Sequence, residues 1–257
     1  MQAHLCFQLY GPMQAWGAVA VGEVRPVVDH PTRSGVLGLL SACLGLRRDE
    51  ELRLQHLRQQ CGLTIRVDAP GRRMTDYHTI QAPKILKRRT FYTRRDELGQ
   101  KLDLSETPST ILSRREYLAD ALFTACIWLR TSDGLFTLEQ MRDALRKPKL
   151  TPYLGRKSCP PGIPFHPRII QAADPMQALQ NYSTDDRLGL LRNTRDDTAI
   201  FSDLSDTLPA QGHVASLRDE PLHFGRRQFT TRKEAAFRWK RDNVTKEADH
   251  VHEQAQP

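Results

Sequence analysis

No apolar run in this chain approaches the roughly 18 residues that a membrane-spanning helix needs. Its start, MQAHLCFQLYG, also lacks the charged head and apolar core of a signal peptide. A cytoplasmic protein is expected. The five cysteines, Cys6, Cys43, Cys61, Cys126 and Cys159, are odd in number and form no close pair. That disfavours both a disulfide framework and a zinc site of the CxxC type, and favours reduced thiols, several of them buried. HExxH, GxSxG and P-loop patterns are absent. No metal, cofactor or catalytic residue is therefore expected. Acid is missing from one long stretch, because residues 144–173 hold six Lys or Arg and no Asp or Glu.

What is present is positive charge, sorted along the chain. The formal charge of the 257 residues is +8 and the pI about 9.4, which favours an anionic partner. Residues 71–115 carry eleven Lys or Arg against five Asp or Glu, whereas residues 184–206 hold six Asp against three Arg. The length suits one large domain or two modest ones. Within the acid-free stretch lies TPYLGRKSCPPGIP (151–164), whose four prolines and two glycines exclude a regular helix and disfavour a central strand. Tyr153 and the Arg156–Lys157 pair after Gly155 make it a stiff, glycine-hinged, cationic loop.

Periodicity supplies the order of elements. Residues 3–10 alternate, with Ala3, Leu5, Phe7 and Leu9 on one face of a half-buried strand. PTRSGVLGLLSACLG predicts a helix starting near Thr32 or Ser34, with an apolar stripe of Val36, Leu37, Leu40 and Leu44. A second stripe of Gly35, Gly38, Ala42 and Gly45 has two compatible readings. One is close helix packing; the other is backbone open to a phosphate near the helix N-terminus. LTIRV (63–67) reads as a strand, Pro70 to about Arg115 as a protruding hairpin or arm, and ALFTACIWL (121–129) as a buried strand. Thr137 to Arg146 forms a helix with a Thr137–Gln140 capping box and with Leu138, Met141 and Leu145 inward, stopped by Pro148.

Strand, helix, strand, arm, strand, helix is the order of a ferredoxin-like βαββαβ unit, an α+β architecture that RNA-recognition domains use. RIIQAAD then resembles a short strand, and DPMQAL a helix with Asp174 as N-cap and Pro175 at N1. Short strands and an acidic connector fill 181–230. The tail from about Lys240 lacks an apolar face and is expected to be disordered. The expected division is an RRM-like domain over 1–150 with a basic thumb at about 71–115, a loop and small β-rich region over 151–240, and a tail over 241–257.

DYHT (76–79) places an acid, a phenol and an imidazole together, but neighbours on a strand face opposite ways, so spacing alone makes no acid–base site of Tyr77 and His78. Three basic pairs each lie beside an aromatic: Arg114–Arg115 by Tyr117, Arg156–Lys157 by Tyr153, and Arg226–Arg227 by Phe229. Guanidinium groups neutralise phosphates and rings stack on splayed bases, so the three together point to RNA.

GPMQAWG (11–17), PTRSGVLGLLSACLGLRRD (31–49), DYHT, RREYLADALF (114–123), TPYLGRKSCP (151–160) and RRQF (226–229) occur in this order. Together they resemble the Cas five family, in the CasD form found in the type I-E CRISPR complex called Cascade. The resemblance runs from residue 1 to about 230, excluding the arm at 83–105 and the polar C-terminus. It implies a ferredoxin-like, RRM-type domain with a protruding thumb and a smaller C-terminal β-region. It implies a non-catalytic subunit that holds the 5′ handle of the CRISPR RNA, caps the filament of CasC backbone subunits and helps seat the large subunit CasA. It implies further that target DNA is met through the assembled complex, that no membrane is involved, and that another subunit, CasE, cuts the RNA.

On that reading the RNA contacts are Gln14, Trp16 and Arg25, then Arg33, Ser34, Gly35 and Gly38 at the head of the first helix. Tyr77, His78, Arg114 and Arg115 follow on the thumb, and Arg226 and Arg227 near the end. In the loop, Tyr153 joins Gly155, which lets the backbone approach the RNA, and Arg156 and Lys157, which meet phosphates. Two alternatives stay open: a metal-independent endoribonuclease that processes CRISPR repeat RNA, and a docking subunit with protein contacts alone.

Overall fold

The computed structural model describes residues 1–20, 22–82, 92–93, 109–131, 133–185, 189, 197–204, 212–223, 226 and 228–240. Strand β1 (Gln2–Tyr10) is buried on both sides, with Leu5, Phe7 and Leu9 on one and His4, Cys6 and Gln8 on the other. A strand covered on one side only was expected. The difference arises because helices lie on both faces of its sheet.

β1 sits in a seven-stranded antiparallel sheet ordered β10 (His213–His223), β11 (Gln228–Lys240), β9 (Asp197–Asp203), β4 (Cys61–Ala69), β7 (Leu122–Leu129), β1 and β8 (Arg168–Ala172). Its central members are β4 and β7, with β8 at one edge. Leu5 on β1 and Leu63 on β4 both face Ile127 of β7 across the ladder. On this side α1 (Arg33–Leu44), α2 (Glu51–Gln60) and α3 (Leu138–Arg146) close the main core. On the other, α4 (Pro175–Asn181) and Tyr182 cover Cys6, Cys126 and Ile200.

The helix ends follow local chemistry. The Thr32 hydroxyl accepts from Gly35 N at 3.2 Å, and Gly45 ends α1 at φ 82°. Thr137 and Gln140 form the capping box of α3, and Asp174 caps α4 with Pro175 in its first turn. The chain after α3 returns to α1, where Lys149 N and Leu150 N donate to the Cys43 and Ala42 carbonyls at its C-terminal end. α2 was not anticipated, because ELRLQHLRQQ is polar and only Leu54 and Leu57, at i and i+3, are buried apolar residues.

A second, smaller sheet joins β2 (Met13–Gln14), β6 (Ser109–Ala119) and β3 (Val24–Arg25), with β5 (Arg72–Ala82) also paired to β6. β5 and β6 are an antiparallel pair over eleven residues each, where the arm was expected. Its far part, 83–105, lies outside the described residues apart from 92–93. β9 (Asp197–Asp203), β10 (His213–His223) and β11 (Gln228–Lys240) extend the main sheet through the β9–β4 pairing. β11 runs thirteen residues to Lys240, within the β-rich region expected over 151–240 but longer than the short strands expected there. A boundary at 150 would sever β8 and α4 from the sheet they complete; the expected tail lies outside the described residues. All five cysteines are buried and unpaired, and burial pushes the thiols of Cys43 and Cys61 up to about 12. No helix among the described residues is long and apolar enough to cross a membrane.

Candidate nucleic-acid interface

After β1 the chain turns into GPMQAWG, and its polar side chains go inward. Gln14 Nε2 donates to the Leu9 carbonyl at 3.4 Å and to the Ala121 carbonyl at 2.5 Å, while Trp16 Nε1 donates to Gln14 Oε1 at 2.8 Å. Both side chains are fully buried, as an indole can be once its N–H has an acceptor. A Cβ at Gly35 would lie 2.9 Å from the Trp16 ring, so that glycine makes room for the tryptophan. Gln14 and Trp16, expected to contact RNA, are internal struts.

The Pro/Gly loop 151–164 lies backbone to backbone on this segment. Ala15 N donates to the Leu154 carbonyl at 3.0 Å, and Gly162 N to the Tyr10 carbonyl at 2.9 Å. Gly155 takes φ 87°, and a Cβ there would sit 2.0 Å from Ala15 O. The close approach that Gly155 permits is to its own chain. Arg156 donates from Nη1 to the Glu116 carbonyl and from Nη2 to the Arg25 carbonyl, both at 2.9 Å. Its guanidinium lies 4.8 Å from the centre of the Tyr117 ring, a cation–π contact that covers that buried aromatic. Lys157 is exposed and Tyr153 half-buried. The basic pair therefore divides into one clamp and one surface cation.

The small sheet sorts the remaining candidates by face. Arg25 is level with Arg115, and Arg115 with Asp76; Val24 is level with Arg114, and Arg114 with Tyr77. Directly opposed residues share a face, so Arg25, Arg115 and Asp76 lie on one side with His78 and Tyr117, and Arg114 and Tyr77 on the other. Arg25 Nη1 donates to the Gly22 carbonyl at 2.5 Å and the Val24 carbonyl at 3.1 Å, and Arg115 Nε to Ser113 Oγ at 3.2 Å. Among the described residues, no carboxylate pairs with Arg25, Arg115 or Arg156. Their charges rest on neutral oxygens and a ring.

Arg33, by contrast, is only 3% exposed. Its guanidinium donates to Asp203 at 2.9 Å, to Glu220 at 3.1 Å and to the Arg58 and Cys61 carbonyls. Its backbone N–H donates to Asp219 Oδ2 at 2.9 Å, so a carboxylate of the same chain already occupies the α1 N-terminus expected to meet phosphate. Ser34 is half-buried; Gly38 faces open space. Arg226 is exposed, next to the half-open Phe229 at 38%, and Arg227 lies outside the described residues.

Two further observations bear on chemistry. The sheet face on which RNA-recognition domains stack bases is packed here: Arg66, 1% exposed, donates to Asp68 at 2.7 Å, to Thr184 at 2.8 Å and to the Leu179 carbonyl beneath α4. The named histidines each face a carboxylate, and the two lie in different parts of the fold. His78 stands 3.9 Å from Asp76 on the face away from Tyr77, and His30 is buried, 2.9 Å from Glu234 and stacked on Phe201. Glu116, which sequence reading passed over, accepts from Val27 N at 3.1 Å and Arg73 Nη1 at 3.2 Å, tying the segment after β3 to the hairpin; nothing in its spacing signalled this.

This fold has known counterparts. The sequence pattern of the family described as CRISPR-associated protein (Cas_Cas5) matches residues 4–239, which makes this a CRISPR-associated protein. The chain belongs to the Cas five family. It is 36% identical over 242 residues to the "CRISPR system Cascade subunit CasD" of Escherichia coli (strain K12), covering 90% of this chain and 94% of that relative. Among solved structures it resembles a chain of a "CRISPR RNA-guided surveillance complex", with TM-score 0.63, 28% identity and coverage of 92% of this chain and 90% of that one. The fold also matches a "Crystal structure of Cas protein" at TM-score 0.59 and 24% identity, over 93% of this chain and 95% of that one.

Proposed function

We propose that this chain is the CasD subunit of a type I-E Cascade complex, where it holds the 5′ handle of the CRISPR RNA and does not cut it. The observation that carries the RNA reading is the row of Arg25, Arg115 and Arg156 on one side of the small sheet, cationic and, among the described residues, unpaired with acid. Lys157, Gly38 and Arg226 extend the exposed candidates; Tyr77 and Arg114, on the reverse face, offer a ring and a cation to a splayed nucleotide. Gln14, Trp16, Gly35 and Gly155 support this surface from within. The order β4–β7–β1–β8, antiparallel throughout with α1 and α3 on one side, supports a ferredoxin-like unit, and the β5–β6 pair supports a thumb. The name of the Escherichia coli relative supports a place in Cascade; CasC and CasA as neighbours and the cytoplasm as the location belong to the same proposal.

Salt titration of binding to handle RNA tests the reading. Arg25→Ala with Arg115→Ala should lower the log–log salt slope by roughly 1.4, at about 0.7 per phosphate contact on single-stranded RNA. Unchanged slope and affinity would remove the face from the account. The same protein incubated with repeat RNA in EDTA should leave it intact; cleavage abolished by His78→Ala would instead establish the endoribonuclease.

A further inference from the structure

A cavity of about 320 Å³ opens where the end of α2 meets the last strands, lined by Arg33, Arg58, Arg130, Arg232, Lys233, Asp203 and Glu220 among others. Its arginines are held from behind. Asp203 accepts from Arg33 at 2.9 Å, Arg130 at 2.8 Å and Arg232 at 3.3 Å, and Glu220 accepts from Arg33 at 3.1 Å and Arg58 at 3.0 Å. A guanidinium has five N–H donors. Arg58 holds its Nε 3.0 Å from Glu220, and Arg130 gives one donor of Nη2 to Asp203, so among the described residues both keep donors for the cavity they line. Neither Arg58 nor Arg130 is sealed, with side-chain exposures of 16% and 44%.

Charge identifies the class of occupant. The four arginines are balanced by Asp203, Asp219, Glu220 and Glu234, leaving the exposed Lys233, whose ammonium among the described residues meets Ser216 Oγ at 2.8 Å and no carboxylate. A strand of phosphates would set further negative charge against Asp203 and Glu220. A single carboxylate matches the single excess cation, and Leu204, 52% exposed, offers apolar contact to its stem. The place is separate from the RNA face. Arg130 follows Leu129 at one end of β7, and Gln14 is anchored beside Leu122 at the other, roughly 20 Å away at strand rise.

We infer that this cavity is a docking socket for one Asp or Glu side chain of a protein partner within the complex. The inference rests on the reading of the chain as a subunit. The test reconstitutes the full chain with the protein subunits of its own complex and the CRISPR RNA, comparing wild type with Lys233→Glu and Arg130→Glu. Reversal should weaken retention of one protein subunit about tenfold or more while handle-RNA affinity stays within about twofold. An Asp or Glu→Lys change in that subunit should then restore retention. Full retention of every protein subunit by both variants would overturn the socket, and a parallel fall in RNA affinity would convert it to a phosphate site. Should Arg130→Glu fail to fold, Lys233→Glu alone decides. A wild-type chain that retains neither subunit nor RNA would sink the functional reading itself.

Discussion

Arginine is used in two opposite ways in this molecule. On the small sheet, Arg25, Arg115 and Arg156 rest on carbonyls, a hydroxyl and a ring, so their charge is oriented but not neutralised. Between α1 and the last strands, Arg33 and Arg232 are threaded among Asp203, Asp219, Glu220 and Glu234, where each charge is met and nearly dry. The residue type is the same and the surroundings decide its work. Carboxylates around a guanidinium join distant strands; neutral acceptors around it fix its direction and leave its field for a polyanion.

The largest way to break this contrast is Asp203→Ala, which strands three guanidiniums around a site 5% exposed at the side chain. A loss of about 3–5 kcal/mol is expected in urea unfolding, as for one partner removed from a buried pair. A loss below about 1 kcal/mol would make the network decorative. Next comes Gly155→Ala, where a left-handed backbone costs about 1–3 kcal/mol and contact with Ala15 O adds to it; thermal melting and RNA affinity should fall together.

A smaller effect should separate the neighbours Arg156 and Lys157. Arg156→Ala loses two carbonyl hydrogen bonds and a ring contact, about 1–2 kcal/mol of stability as well as RNA binding. Lys157→Ala should weaken RNA binding with melting temperature unchanged, and equal effects in both variants would erase the distinction. The smallest is a pH effect at Glu234. Burial pushes its carboxyl up, but the hydrogen bond and charge of His30 and then Arg232 hold it below the ordinary 4.5. Its stabilisation is thus full above that value and lost as pH falls through the depressed one. Glu234→Gln should flatten the acid limb of stability against pH below 4.5, measured by urea unfolding.

Features governed by neighbours in sequence were legible. Thr32, the Thr137–Gln140 box and Asp174–Pro175 were readable because caps act over three or four residues, and β7 because its run is apolar. α2 and β11 were not, since their burial depends on distant partners: Glu234 on β11 is buried because His30 and Arg232 satisfy it. The basic pairs pointed to the cationic surface, yet which cation is free could not be read. Arg33 meets Asp203 across 170 positions, and Arg156 meets the Arg25 carbonyl across 131.

The backbone seam between residues 10–16 and 154–162 also governs when the surface comes into being. Ala15 finds the Leu154 carbonyl, and Tyr10 finds Gly162, only after some 140 to 150 further residues have been synthesised. Contacts of such span close late, after the strands between them have paired. A nascent chain halfway through translation has made Arg25 and Arg115 but lacks Arg156 and the loop that braces them. Display of all three cations in one row therefore waits for synthesis through Gly162, and a product truncated before Leu154 lacks that row.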